Sequence, residues 1–234
     1  MTTLEGATVL VTGANGGLGI EFVHQALARG AAKVYATART PRDWNDPRIV
    51  GLALDVTDEA SVAAAARAAA DTTIVVNNAG VAGTAPIATG EMSEIRRIME
   101  TNFFGAITVA REFAPVVAEN GGGALLDVHS VLSWIGLAGA YSASKAAFWS
   151  ATNSLRIELA PQGVQVVGLH LGYADTPMTA GIDAPMNDPA DVVAAAYDGL
   201  EAGELEVLAD QLSIDVKQGL AAPIEGLYPQ FANA

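Results

Sequence analysis

Short runs of apolar, largely β-branched residues recur along the chain, and each is followed by a stretch long enough and patterned for a helix. The runs fall at residues 7–12 (ATVLVT), 33–38 (KVYATA), 49–54, 73–77, 124–129 and 164–170, with EVLA at 206–209 read as a last strand. Helices are expected over 17–29, 58–70, 91–119, 141–159 and 189–202, and a short helix with a Pro-containing tail follows 209. A strand exposed on one face alternates apolar and polar residues. One buried on both faces reads as a continuous apolar run. Such strands separated by helices imply an α/β fold, a doubly wound and mostly parallel sheet with helices on both faces. No linker, repeat or break in composition divides residues 1–234, so one domain is expected.

The charge balance narrows the partners. Lys and Arg total 12 against 26 Asp and Glu, a formal net charge of −14. Such a surface repels phosphate backbones, so nucleic acid is not an expected partner, and any anionic cofactor must be held by local features that override the global field. There is no cysteine, which removes disulfides and thiolate chemistry. No stretch approaches the roughly 20 apolar residues of a membrane span, and the first residues lack a basic, then apolar, leader pattern. No membrane is expected, and a cytoplasmic location is. His24, His129 and His170 have no mutual metal-ligand spacing, so no metal is expected.

The first strand runs directly into Thr12-Gly13-Ala14-Asn15-Gly16-Gly17-Leu18-Gly19, a TGxxxGxG pattern where strand turns into helix. Gly13 permits the tight turn, Gly17 lets the backbone approach a pyrophosphate, and Gly19 lets the helix pack on the sheet. The free N–H groups and the dipole of the helix that follows attract a diphosphate. Placed after strand one, this loop points to a Rossmann-type dinucleotide site.

Further motifs follow in order: Asn77-Asn78-Ala79-Gly80 after strand four, Asn102 in TNFFG, Ser130 in HSVLSW, and Tyr141-Ser142-Ala143-Ser144-Lys145, a YxxxK pattern. Together they resemble the short-chain dehydrogenase/reductase family along nearly the whole chain. The resemblance implies an enzyme, an NADP(H)-dependent oxidoreductase that interconverts a carbonyl and a secondary alcohol by hydride transfer. It assigns Asn102, Ser130, Tyr141 and Lys145 to catalysis. Gly13, Asn15, Gly17, Leu18, Gly19, Arg39, Asp55, Val56, Asn78, Ala79, Gly80, Tyr141, Lys145, Gly172 and Thr176 would bind the cofactor. Assembly into a homodimer or homotetramer through the two long helices is also implied. Two departures stand out. The family's Pro-Gly after strand six is Leu171-Gly172 here, which restores an N–H and frees φ, so a looser loop is expected. The interval from Ser130 to Tyr141 is slightly short, which makes Ser133 a second candidate for the serine role.

Tyr141 and Lys145 stand four residues apart, on one helix face. A free tyrosine has a pKa of about 10, and a fixed cation nearby favours the phenolate. On the resemblance, Lys145 also holds the nicotinamide ribose, Ser130 hydrogen-bonds the substrate oxygen, and Asn102 holds a water for proton relay. Tyr141 acts as acid in reduction and base in oxidation. The end of strand two carries Ala38-Arg39 and no carboxylate before Asp43, which favours a 2′-phosphate and hence NADP(H); Arg42 could assist. Asp55 and Val56 resemble the adenine contact. The substrate loop is placed at about 172–190. Its contacts are Ser130, Trp134, Tyr141, Tyr173 and Met178, with Val81, Leu137 and Met186 as further candidates, and their mostly apolar character points to a hydrophobic ketone. Two other readings exist. A subunit that holds the nucleotide without turnover need not retain the tetrad, and a sugar-nucleotide epimerase or dehydratase usually needs more than the roughly 50 residues after Met186.

Overall fold

The computed structural model describes residues 2–83, 85–228 and 230. Its strands are β1 (Thr8–Thr12), β2 (Lys33–Ala38), β3 (Ile49–Ala53), β4 (Ile74–Asn77), β5 (Gly123–Val128), β6 (Val164–His170) and β7 (Glu206–Leu208). Its helices are α1 (Leu18–Ala28), α2 (Glu59–Ala68), α3 (Met92–Met99), α4 (Ala106–Glu119), α5 (Ala140–Leu159), α6 (Pro189–Ala202), α7 (Gln211–Gly219) and α8 (Ile224–Leu227). The strands form one sheet in the order β3-β2-β1-β4-β5-β6-β7. Every pairing is parallel, the edge strand β7 included. The chain therefore winds outward from β1 to β3 and returns to lay β4 on the other side of β1. Ligands of such sheets bind in the crevice at that reversal, beyond the carboxyl ends of β1 and β4.

The continuous apolar runs are explained by two separate cores. Val9, Val11, Val76 and Leu126 pack with Phe22 and Val23 of α1 and Val193 and Tyr197 of α6. The alternate residues Leu10, Val75 and Leu125 pack on the other face with Val62 of α2, Val109 and Phe113 of α4, and Leu159 of α5. Each such side chain contributes about 1.5–3 kcal/mol on full burial. The Tyr197 hydroxyl donates to the Phe22 carbonyl at 2.9 Å, satisfying the polar atom at the centre of the first core.

Two expected elements differ. The helix expected over 91–119 is interrupted by a wide π turn at Glu100–Gly105. There the Asn102 side chain takes hydrogen bonds on other segments, and Gly105 sits so close to α2's approach that a Cβ on it would lie 2.8 Å from Val56 Cγ2. One extra residue in the turn aims Asn102 inward. The short helix expected after 209 is two helices, α7 and α8; the last residues of the Pro-containing tail, 231–234, lie outside the described residues. Among the described residues no helix is long and apolar enough to cross a membrane.

Gly19 closes α1 onto the turn before it, since a Cβ there would stand 2.2 Å from the Gly13 carbonyl oxygen. A Cβ on Gly16 would meet nothing within 4 Å. Gly19→Ala should therefore cost at least about 2 kcal/mol through overpacking, seen as a fall in Tm of about 4 °C or more. Gly16→Ala should leave Tm nearly unchanged. Thermal unfolding of the two variants checks this, and equal effects would contradict it.

Candidate active site

The loop after β1 is held open by one hydroxyl. Thr12 Oγ1 donates to the Val76 carbonyl at 3.3 Å and accepts the N–H groups of Asn78 and Ala79, both at 2.9 Å. Asn78 Nδ2 returns a bond to the Thr12 carbonyl at 2.8 Å. The ends of β1 and β4 are thus knotted together at the reversal of the sheet. Gly13 at φ 67° passes within contact of Ala79, where a Cβ would lie 3.1 Å from its Cα. Gly17, at φ 54°, precedes α1 and no side chain caps the first N–H groups of that helix, although Gly19 N–H donates to the Gly16 carbonyl at 3.1 Å. A glycine cradle with uncapped donors fits the diphosphate of a dinucleotide. Leu18 begins α1 and packs against the first core.

Asn15 braces the adenosine side. Its Nδ2 donates to the Thr40 carbonyl at 2.7 Å and its Oδ1 accepts Arg42 N–H at 3.3 Å. Arg39 is exposed at the end of β2, and its charge reaches Asp55. The Asp55 carboxyl is held below its ordinary value, first by the Thr57 N–H and then by the Thr57 hydroxyl. Val56 is buried. Arg42 is not paired with Arg39. Its guanidinium lies 4.8 Å over the Trp44 ring.

The reacting groups meet across β5 and α5. Gly139, at φ 53°, turns the chain into α5, whose first two turns carry Tyr141 and Lys145. Ser130 follows β5 and lies near enough to Tyr141 to pull its phenol pKa down. Ser130 Oγ also accepts the Leu132 N–H at 3.1 Å, while Ser133 Oγ accepts the Ser130 N–H at 3.4 Å and is buried. Ser130 thus meets Tyr141, and Ser133 caps the turn beneath it. Lys145 Nζ lies 5.9 Å from the Tyr141 ring centroid and donates to the Val128 carbonyl at 2.8 Å. Gly80 separates Lys145 from Asn102: a Cβ there would be 3.3 Å from Asn102 Oδ1 and 3.9 Å from Lys145 Nζ. The Asn102 side chain accepts the Val81 N–H and donates to the Val81 carbonyl and to Ser144 Oγ. These bonds clamp the segment beside Lys145.

Burial dominates the electrostatics. It pushes the Tyr141 phenol up to about 12, with Ser130 opposing and Tyr173 adding to the rise. It brings Lys145 down to about 8, opposed by the charge of Asp127. The lowering of the phenol expected from Lys145 is not what sets its state here: loss of water does, and the opposing pull comes from Ser130. At neutral pH Tyr141 is a proton-bearing acid beside a cation.

The segment behind Ser130 is a ring stack. His129 lies on His170 with centroids 4.9 Å apart, and Trp134 lies on His170 at 4.0 Å and 15°. Lys217 sits 4.9 Å over Trp134 and pairs with Glu206 at 2.5 Å. Trp134, expected at the substrate, is committed to this stack. Tyr173, Met178 and Leu137 are exposed apolar groups, as are Ile182 and Leu212. The loop after β6 is not loose at its start. Leu171 is buried with its carbonyl accepting the Val131 N–H, and the Gly172 N–H is bonded to Asp210. Thr176 reaches the phosphate loop, 3.4 Å from where a Gly17 Cβ would be.

Thr12 and Asp127 had no assigned role in the sequence, although both carry a signal. Thr12 is the first letter of the glycine pattern, and Asp127 is a carboxylate inside an apolar run. Asp127 is fully buried on β5, accepting Thr152 Oγ1 at 2.7 Å and Asn77 Nδ2 at 3.4 Å. Burial raises its carboxyl from 3.8 to about 6. A carboxyl raised in the folded state contributes stability below its unfolded value and loses that contribution as pH rises through about 4 to 6. Asp127→Asn should therefore flatten the stability curve over that range. The variant should lose up to about 3 kcal/mol of pH-dependent change, on top of a constant cost from leaving Lys145 without its opposite charge. Urea titrations from pH 4 to 8 check this; a variant whose stability falls between pH 4 and 6 as steeply as that of the wild type would contradict it.

Comparison with known proteins places this arrangement. The family model for short chain dehydrogenases matches residues 7–187. A cis-4-hydroxycyclohexanecarboxylate dehydrogenase of Sinomonas cyclohexanicum is 36% identical over 75% of this chain and 76% of its own length. The ketoacyl reductase HetN of Nostoc sp. is 29% identical over 90% of this chain and 81% of its own. A short chain dehydrogenase of Burkholderia cenocepacia, solved in complex with NADP, superposes with a TM-score of 0.92 at 36% identity, covering all of both chains. A 3-ketoacyl-(acyl-carrier-protein) reductase of Brucella melitensis, complexed with NADH, superposes at 0.82 with 27% identity, covering 90% of this chain and all of its own. With the glycine cradle, the knotted crevice and the Ser130–Tyr141–Lys145 cluster at the carboxyl end of the sheet, this chain belongs to the short chain dehydrogenase family of oxidoreductases.

Proposed function

We propose that this protein is an NADP(H)-dependent enzyme that interconverts a hydrophobic ketone and its secondary alcohol, with Tyr141 as the proton carrier. The observation that carries the reading is Lys145, buried and held by the Val128 carbonyl beside the Tyr141 ring, with Ser130 on the segment just after β5. When bound, NADPH supplies the hydride. The chain's own work is to place and protonate the oxygen. Ser130 donates to the carbonyl oxygen and fixes its position. Tyr141, a neutral phenol at working pH, gives that oxygen its proton as charge builds on it. The Lys145 ammonium then stabilises the phenolate left behind. Asn102 keeps Val81 and Ser144 in register around that cation. The apolar rim of Leu137, Tyr173, Met178 and Ile182 suits a hydrophobic substrate and excludes water around the transfer. The residues after Met186 add α6, β7, α7 and α8 to the same layers, which favours this reading over a sugar-nucleotide enzyme.

NADP(H) is preferred in this reading because Arg39 is exposed at the end of β2, with its charge reaching Asp55, next to Thr40, whose carbonyl Asn15 holds. The NADP complex of the Burkholderia relative supports it. We place the enzyme in the cytoplasm as a homodimer or homotetramer that pairs through α4 and α5, next to which Phe104 and on which Ile157 are exposed.

Oxidation of NADPH against a panel of ketones tests the activity. Tyr141→Phe should lower turnover at least about 10²-fold with cofactor affinity retained, and near-normal turnover would contradict the role of the phenol. Titration with both cofactors should show NADPH binding at least about 10-fold tighter than NADH, a difference of roughly 1.4 kcal/mol, and Arg39→Asp should reverse the preference. Equal binding by the wild type, or no reversal in the variant, would remove Arg39 from the site.

A further inference from the structure

We propose that Asp210 is a positioning residue: from the cap of α7 it pins the neck of the 172–187 loop through Gly172 and Asn187, and so sets how tightly that loop holds NADPH. The inference rests on the cofactor reading above and extends it to a residue on another element.

The loop leaves β6 at Gly172 and re-enters helix at α6, and its two ends touch. Ala174 and Asn187 form a parallel bridge. The Asn187 N–H donates to the Tyr173 carbonyl at 2.8 Å, and the Asp175 N–H donates to the Asn187 carbonyl at 3.0 Å. The Asn187 side chain donates to the Tyr173 carbonyl as well, at 2.8 Å. Between these ends, Thr179 folds the chain back by donating to the Ala174 carbonyl at 2.5 Å, and Thr176 rests against the phosphate loop at Gly17. The segment that covers the cofactor crevice is therefore a closed loop whose geometry is decided at its neck.

Asp210 is the outside hold on that neck. Its Oδ2 accepts the Gly172 N–H at 2.5 Å and Asn187 Nδ2 at 2.7 Å, one donor from each end of the loop. Its Oδ1 accepts the Ser213 N–H at 2.7 Å, capping α7. A carboxylate has acceptor sites for all three donors, and bonds to a charged acceptor are roughly twice as strong as neutral ones. Leu212 packs over Gly172, where a Cβ would lie 3.1 Å from its Cδ2, and covers the pin. Gly172, Tyr173, Thr176 and Met178 all move with this neck, so a loosened neck widens the range of loop positions that NADPH must order on binding.

Capping and pinning are separable. Asp210→Ser keeps a side chain able to cap α7 but is too short and uncharged to hold both Gly172 and Asn187. In the cofactor-free protein, Asp210→Ser should speed amide hydrogen exchange within 172–187 by about 10-fold while leaving the amides of β5 and β6 unchanged. The dissociation constant for NADPH, read by tryptophan fluorescence, should rise about 10-fold. Asn187→Ala should have a similar effect, and the double variant should add little, because both act on one neck. Unchanged exchange in the loop would overturn the pin, whatever the protein binds. Faster exchange with unchanged NADPH affinity would overturn its role in cofactor binding. A wild-type protein that binds no NADPH would overturn the functional reading and, with it, that role.

Discussion

The Lys145 ammonium is buried against β5, where it has exchanged water for the Val128 carbonyl at 2.8 Å. Burying a cation is unfavourable unless opposite charge and hydrogen bonds surround it. Asp127 supplies the charge one residue before Val128, itself fully buried and held by Thr152 and Asn77. The two ionisable groups are strained in opposite senses, the carboxyl raised and the amine lowered. Each makes the other's charge tolerable. The rest of the site is arranged around that cation: Tyr141 one turn back on the same helix, Ser130 just beyond the carbonyl it is bonded to, and Gly80 leaving it room beside Asn102.

The same economy of polar contacts shapes the cofactor side. Thr12 uses one hydroxyl to satisfy two N–H groups and a carbonyl at the point where the sheet order reverses. That knot fixes the distance between the glycine loop and the Asn78–Gly80 segment that leads to Lys145. The proposed dinucleotide crevice and proton-transfer cluster consequently share β1, β4, β5 and α5. The loop after β6 is the part added from outside, and it is tied down by a side chain from α7.

The sheet was legible in the sequence because burial on both faces leaves an unmistakable mark. Val9 and Val11 face one core and Leu10 the other, so no polar residue interrupts the run. The glycine loop, Ser130, Tyr141 and Lys145 were legible as residue types at their spacing. The π turn was not. Apolar periodicity runs through 91–119 without a break, and the bulge exists only because Asn102 finds Val81 and Ser144 from elsewhere in the chain. The stacking of His170 and Lys217 on Trp134 was hidden as well, because nothing nearby in sequence brings them together. The balance of charge was likewise hidden. Spacing puts a lysine beside a tyrosine, but only the packed structure decides that the amine bonds to Val128 and that burial lifts the phenol.

The central claim is that a buried, readily deprotonated ammonium lies at the heart of the site. The chain has three lysines, Lys33, Lys145 and Lys217, so each side-chain amine can be followed separately in protein labelled at lysine. Lys33 is held above its ordinary value, first by its hydrogen bond to Asp71. Titration of the lysine Nζ resonances by NMR, with Lys145→Met to assign the signal, is the direct measurement. The account predicts that the Lys145 signal titrates near pH 8. A Lys145 amine that stays protonated beyond pH 10, like a lysine in water, would contradict it.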